Sequence, residues 1–131
     1  MHYLGILLAA VAMFALGAVW FSPVLFMKAW MREAGMDPAQ KPDSRQRLRM
    51  LGLTFVLLLI AAVALDSFVA NWSAGEGFWH GLWVGLMGGL LVAAATGINF
   101  LFEGRSLKHF LINACYDVLG FCLMGMILSL L

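Results

Sequence analysis

The chain has 131 residues, of which 63% are hydrophobic and only 11% are charged. Soluble domains carry about 25% charged residues, so this composition excludes an ordinary soluble fold and indicates a single membrane domain. The formal net charge is +1, which argues against nucleic acid as a partner. We therefore expect an all-α polytopic membrane protein, surrounded by membrane lipids.

The first apolar segment covers residues 3–21, which are uncharged and long enough to cross a bilayer with a slight tilt. A cleaved signal peptide is the alternative, and it requires a basic stretch before its apolar core. Met1, His2 and Tyr3 supply no such charge, so we expect this segment to remain as the first span.

A short helix is predicted after the first span. Pro23 disfavours helix at the preceding residue, yet proline fits the first turn of a new helix, with Ser22 as its cap. In residues 24–34, Trp30 falls on an apolar face and Lys28 on a basic one. This pattern predicts an amphipathic helix in the headgroup plane. The alternative is a helical extension into a polar loop, with Trp30 as an interfacial aromatic residue.

Residues 36–49 are the most hydrophilic stretch, and they complete a predicted loop over residues 24–49. Three alternate arginines close this stretch: Arg45, Arg47 and Arg49. We interpret it as a solvated loop that fixes the topology, and an anionic-lipid patch is the alternative. The second predicted span follows at residues 50–70, with Asp66 as its only charge.

The third predicted span, residues 78–102, belongs to a glycine-rich stretch around which we expect the rest of the chain to be organised. Small residues recur there at every fourth position: Gly77, Gly81, Gly85, Gly89, Ala93 and Gly97. This spacing places them on one stripe of a helix, where membrane helices approach one another closely. We expect the stripe to pack within the monomer, and we also expect a homo-oligomer or a partner membrane protein. Residues 110–131 form the fourth predicted span.

All eight lysines and arginines fall on one side of this four-span layout. Most lie between the first two spans, and Arg105 and Lys108 lie between the last two. Cytoplasmic loops carry the excess of positive charge in membrane proteins. That side is therefore predicted to be cytoplasmic, with both termini outside.

Two motifs resemble those of a known family. The first is Gly17-x-x-Trp20-Phe21-Ser22-Pro23-x-x-Phe26-x-Lys28-x-Trp30, and the second is Asn99-x-x-Phe102-Glu103-Gly104-Arg105 followed by Asn113 and Tyr116. With the length and the four-span layout, they are similar to the bacterial membrane family catalogued as domain of unknown function 1761. The resemblance implies a four-span protein of the bacterial inner membrane, and it implies no activity. Where that family often has Tyr and Gly, this chain has Phe21 and Met27.

A group of polar residues lies near the predicted cytoplasmic side, and we take it as the candidate polar site: Ser22, Asn99, Glu103, Asn113, Tyr116 and Asp117. His109 belongs to the same end, nearer the membrane surface. Asn113 and Asp117 are one helical turn apart on one face, and Asn99 is expected at a similar depth on the neighbouring helix. Polar groups within a membrane usually face other helices. They predict either a cavity for a cation, a proton or a polar ligand, or an interhelical hydrogen-bond clamp.

A second polar group lies near the opposite side, and it contains the weak metal candidates His2, Asp66, Glu76 and His80. Imidazole and carboxylate together suit zinc or another divalent ion, but the spacing matches no known metal motif. We therefore expect a water-facing rim and no metal or other cofactor. The absence of a histidine in the middle of the predicted spans argues against haem.

Three functions remain open from the sequence. The first is a structural or assembly protein that interacts through its helices, and it needs no titrating group. The second is a small transporter or channel that uses Asp117 and Asn99, and the third is an enzyme acting on a lipid headgroup. No nucleotide-binding loop, nucleophile elbow or metalloprotease motif is present in the sequence, which favours a role other than catalysis.

Overall fold

Five α-helices account for nearly all of the residues that the computed structural model describes, which are 3–22, 25, 27–35, 44–71 and 77–130. The helices are α1 (Tyr3–Trp20), α2 (Met27–Ala34), α3 (Ser44–Asn71), α4 (Gly77–Glu103) and α5 (Leu107–Leu130). All except α2 are long and apolar enough to cross a membrane. The predicted all-α fold with four candidate spans and one short helix is therefore confirmed.

The starts of α2 and α3 differ from the ends of the predicted loop, and α5 begins at Leu107, before the predicted residue 110. Helix α3 starts at Ser44, so the last residues of the predicted loop 24–49 are helical. Arginine and glutamine are good helix formers, and they continue α3 beyond its apolar part. Helix α2 starts at Met27, later than the predicted residue 24. The backbone carbonyl of Ser22 accepts hydrogen bonds from the Leu25 and Met27 amides, and Pro23, Val24 and Phe26 lie outside the described residues.

Helix α5 is the centre of the bundle, because it packs against each of the other four helices. Its longest contact is with α4, and α1 lies against both α5 and α3. Of the four candidate spans, α5 is also the most enclosed and α3 the least. The glycine-rich stretch in α4 was expected to organise the chain, but the helix that contacts all the others is its packing partner, α5.

Small side chains allow α1 and α3 to approach α5. Ala9, Ala10 and Ala62 are fully buried, and small residues of this kind are typical of membrane-helix interfaces. The buried apolar core also contains Ile6, Met13, Leu65, Val84, Met124 and Leu128. Large apolar side chains are exposed along α1, α3 and α4, as expected for surfaces that face lipid or another membrane protein.

The contact between α4 and α5 is formed largely by backbone atoms. A Cβ atom at Gly81 would collide with the carbonyl oxygen of Gly125, and a Cβ at Gly125 would collide with the carbonyl oxygen of Gly81. A Cβ at Gly85 would lie on the carbonyl oxygen of Phe121 and 2.8 Å from the Cα of Cys122. The two helices are therefore as close at these turns as the absence of side chains allows.

The remaining small residues of the stripe differ in their surroundings. A Cβ at Gly89 would lie 2.8 Å from the Cα of Val118, and one at Gly97 would lie 3.0 Å from the Phe110 ring. Gly77 has a φ of +63°, and within the described residues a Cβ there would meet no atom within 4 Å. The part of the stripe that faces α5 thus begins at Gly81, one turn into α4.

Candidate functional site

Tyr116 joins α5 to α1 through a polar contact within the bundle. Its hydroxyl donates a hydrogen bond of 3.1 Å to the backbone carbonyl of Met13. Gly17 lies one turn further along α1, where a Cβ atom would be only 2.9 Å from the Tyr116 oxygen. The missing side chain at Gly17 therefore makes room for the tyrosine.

Trp20 makes a second connection between the same two helices. Its indole N–H donates a hydrogen bond of 3.0 Å to the backbone carbonyl of Ile112. The next residue, Phe21, places its ring with centroid distances of 5.3 Å from Tyr116 and 6.2 Å from Trp30. The end of α1 is therefore held to α5 by aromatic packing and by hydrogen bonds that use tyrosine and tryptophan donors.

Trp30 brings α2 onto the same part of α5. Its indole N–H donates to Asn113 Oδ1 at 3.1 Å, and its ring lies edge-on to His109 with a centroid distance of 5.4 Å. The sequence predicts Trp30 on the apolar face of an amphipathic helix or as an interfacial aromatic residue. The structure shows in addition that its half-buried indole N–H finds an acceptor on α5, as a buried tryptophan usually does.

Ser106 caps the beginning of α5 and connects it to α2. Its side-chain oxygen accepts a hydrogen bond from the backbone amide of His109 at 3.1 Å, as an N-cap residue does. Its hydroxyl in turn donates to the carboxylate of Glu33 at 2.6 Å. The negative charge of Glu33 consequently lies at the positive end of the α5 dipole, which stabilises the packing of α2 against the start of α5.

His109 is the most unusual polar residue of this region. Its side chain is completely buried, and neither ring nitrogen has a hydrogen-bond partner among the described residues. The ring packs between Trp30 and Phe100, with a centroid distance of 4.9 Å to the phenylalanine. It was expected nearest the membrane surface. Its complete burial could not be foreseen, because the covering side chains come from α2 and α4.

The candidate polar site does not form one cluster. Asn113 and Tyr116 join the hydrogen-bonded contacts just described. Asn99, by contrast, is exposed on α4 and forms no hydrogen bond through its side chain within the described residues. Gly97 packs against Phe110 of α5. Residues two positions apart lie on nearly opposite sides of a helix, so Asn99 points away from α5.

The three remaining residues of the candidate site have separate environments. Glu103 is exposed and forms an ion pair of 2.6 Å with Arg105 across the turn between α4 and α5. Ser22 contributes its backbone carbonyl to the turn before α2. Asp117 is half-buried in α5, and no hydrogen bond to its carboxylate is formed in the described part of the chain. It shares a helix face with Asn113.

The second polar group is divided as well. His80 donates a hydrogen bond from Nε2 to the backbone carbonyl of Val69 at 2.7 Å, which connects α4 to the end of α3. Asp66 is half-buried on α3, while His2 and Glu76 lie outside the described residues. In the described ranges, no three histidine, cysteine, aspartate or glutamate side chains are grouped as a metal site would require.

Two structural roles were not anticipated from the sequence. One is the contribution of Gly125 to the glycine contact, and the other is the connection between Glu33 and Ser106. A serine three positions before His109 is a recognisable capping signal. The pairing of Ser106 with Glu33 depends on the position of α2 against the start of α5, and no local sequence pattern indicates that position.

The first motif and the end of the second therefore meet in space. Gly17, Trp20 and Trp30 come from the first motif, and they contact α5 at or beside Asn113 and Tyr116 from the second. A family model described as "Protein of unknown function (DUF1761)" matches residues 4–129. No curated protein and no solved structure matches the chain. Since the family model covers nearly the whole sequence, the chain belongs to the DUF1761 family.

Proposed function

We propose that this chain is a bacterial inner-membrane protein with a structural role, in assembly or in interaction with other membrane proteins. The observation that carries the proposal is the use of the motif side chains. Trp20, Trp30 and Tyr116 each donate a hydrogen bond to an acceptor on another helix of the same chain. Interhelical hydrogen bonds of this kind stabilise packing, and groups so engaged are not presented to a substrate.

The exposed face of α3 supports the interaction part of the proposal. α3 is the least enclosed candidate span, and Leu53, Leu57 and Ile60 are exposed at successive turns of one face. Spacings of three and four residues put them on one continuous stripe. We infer that a second copy of the chain, or another membrane protein, covers this stripe.

A photoreactive amino acid at Leu57, introduced in cells and activated in native membranes, tests this role. We expect a protein adduct of one defined mass, corresponding to a dimer or to one partner. Leu91 on α4 provides the control, because its exposed fraction, 71%, is close to the 65% of Leu57. Lipid adducts alone at both positions would contradict an assembly role.

A transporter or channel is the second candidate, and Asp117 is the observation that favours it. A half-buried carboxylate inside a candidate span, with no hydrogen bond to any described residue, is a functional hypothesis by default. Purified protein in vesicles with an internal pH-sensitive dye should then conduct protons, and Asp117→Asn should abolish the flux. Asp66→Asn is the control, and equal leakage from all three samples would exclude this candidate.

The third candidate, an enzyme acting on lipid headgroups, has less support. It needs an opening for a lipid beside Trp20 and Trp30. Both indoles are instead hydrogen-bonded to α5, so their N–H groups are already engaged and do not favour a headgroup site there.

We also propose that the end of the bundle containing α2 is cytoplasmic and that both termini are outside. The basic residues in the described ranges are all exposed: Lys28, Arg32, Arg45, Arg47, Arg49, Arg105 and Lys108. They belong to α2, the start of α3, the turn between α4 and α5, and the start of α5, and positive charge favours the cytoplasmic side. Reporter fusions after Leu131 should be active outside the cytoplasm, and a cytoplasmic reporter there would contradict the orientation.

A further inference from the structure

The burial of His109 requires an explanation that the structural role does not supply. A buried polar group normally has a hydrogen-bond partner, and burying one without a partner is costly. Here both nitrogens of one imidazole lack such a partner within the described residues. The ring contacts are with Trp30 and Phe100, whose aromatic faces are at best weak acceptors.

Helix α2 covers one side of this histidine, and α4 covers the other with Phe100. Trp30 lies directly against the imidazole, and α2 is held in place by the bonds from Trp30 to Asn113 and from Ser106 to Glu33. The helix has only eight residues. It can move with far fewer broken contacts than a spanning helix, since short helices depend on tertiary contacts for their stability.

Protonation of His109 changes the balance between the covered and uncovered states. A neutral imidazole leaves one donor and one acceptor without a partner, whereas an imidazolium leaves two donors and a buried charge, which costs more. Among the charged groups that act on it, Arg105 opposes a positive charge, and Glu33 and Glu103 favour it. Glu103 is exposed and paired with Arg105, and helix α1 carries no charged residue.

We propose that acid pH releases α2 from α5 by protonating His109. In the released state, water reaches the imidazole and solvates its charge, and the side chain of Asn113 becomes free to bind a polar group. The covered state favours the neutral ring, and the uncovered state favours the charged ring. By linkage, falling pH therefore shifts the population toward the uncovered state.

The accessibility of Trp30 to water provides the test. The protein carries 5-fluorotryptophan and is placed in phosphatidylcholine nanodiscs, and fluorine relaxation of Trp30 by a water-soluble gadolinium chelate is followed with pH. We expect relaxation to increase several-fold on acidification, in the window from about pH 6.5, the ordinary pKa of a histidine, down to about pH 4, because burial disfavours the charged ring. Unchanged relaxation across that window would overturn the proposal.

Two variants identify the group that responds. His109→Phe keeps an aromatic ring between Trp30 and Phe100 and cannot be protonated, so Trp30 should stay shielded at every pH. Glu33→Gln keeps an acceptor for Ser106 without a titrating carboxylate, so the acid response should persist. A response that survives in His109→Phe, or one that disappears in Glu33→Gln, would assign the effect to another group and overturn the proposal.

A measurement on the unaltered chain covers the case in which His109→Phe does not fold. The protonation of the three histidines can be followed by NMR of isotope-labelled imidazole. His109 should gain its proton at the pH at which Trp30 becomes accessible. If His109 is already protonated while Trp30 remains shielded, protonation does not release α2.

Discussion

Helix α5 forms two contacts of opposite character. Toward α4, the contact is between backbones, with Gly81 and Gly85 lying on the carbonyl groups of α5. Toward α2 and the end of α1, the contact is made by aromatic rings and single hydrogen bonds, as at Tyr116 and Trp30. Backbone atoms of a helix cannot move aside individually, whereas the end of a side chain can rotate. We therefore expect the glycine contact to be intolerant of change and the aromatic contact to be adjustable.

The largest effect should come from adding a methyl group at the glycine contact. In Gly85→Ala, the new Cβ would meet the carbonyl oxygen of Phe121 and the Cα of Cys122, neither of which can move without separating the helices. We expect a loss of stability of about 3 kcal/mol, at the upper end of the cost of overpacking. Thermal unfolding in detergent, followed by circular dichroism, measures it.

Gly88→Ala is the matched control for this change. It lies in the same helix and adds the same methyl group, but the nearest atom to its Cβ would be Leu65 Cδ1 at 3.4 Å. That distance is an ordinary van der Waals contact, so the unfolding temperature should change little. Helix propensity favours alanine over glycine at both positions, so equal losses in the two variants would show that the close approach of the backbones at Gly85 does not decide the result.

A smaller and adjustable effect is expected where Gly17 meets Tyr116. A Cβ at position 17 would lie 2.9 Å from the tyrosine hydroxyl and 3.3 Å from the ring carbon that bears it. Gly17→Ala should therefore displace the hydroxyl and weaken its bond to Met13, at a cost of about 1 to 2 kcal/mol. Thermal unfolding in detergent of Gly17→Ala, Tyr116→Phe and the double variant gives the coupling energy between the two positions.

Tyr116→Phe removes the hydroxyl and should make Gly17→Ala easier to accommodate. The double variant should then be more stable than the sum of the two single losses predicts, because residues in direct contact are not additive. Additive losses would mean that the tyrosine hydroxyl does not limit the space at Gly17, and the packing proposed for this contact would be wrong.

These two contacts also differ in how far they could be predicted from the sequence. The glycine stripe has a period of four, which alone predicts a close-packed face on α4. Its partner surface on α5 has no such period, since Gly125 lies among Phe121, Cys122 and Ser129. The existence of a close contact could thus be expected, while the identity of its opposite side could not.

The aromatic contact was the less predictable of the two. Its residues are separated by up to 103 positions, as for Tyr116 and Met13, and long-range pairs leave no periodic pattern. The resemblance of two motifs to one family indicated which residues belong together, but it did not indicate that Trp30 reaches Asn113. That pairing depends on the turn before α2, which local propensity does not determine.

The smallest effect should come from the two asparagines that were expected to share one polar site. Asn113 accepts the hydrogen bond of Trp30, whereas Asn99 is exposed and forms no side-chain hydrogen bond within the described residues. Asn113→Ala should lower stability by about 0.6 kcal/mol, the average for a hydrogen bond between membrane helices.

Asn99→Ala removes the same amide from α4 and should leave the unfolding temperature unchanged or slightly raised, because alanine is the better helix former. The pair therefore compares an engaged amide with an unengaged one under the same substitution. Indole fluorescence gives a second readout, since only Asn113→Ala should alter the environment of Trp30. If Asn99→Ala were the more damaging variant, Asn99 would have a partner elsewhere, and an interface with a second membrane protein on that face of α4 would be the first place to look for it.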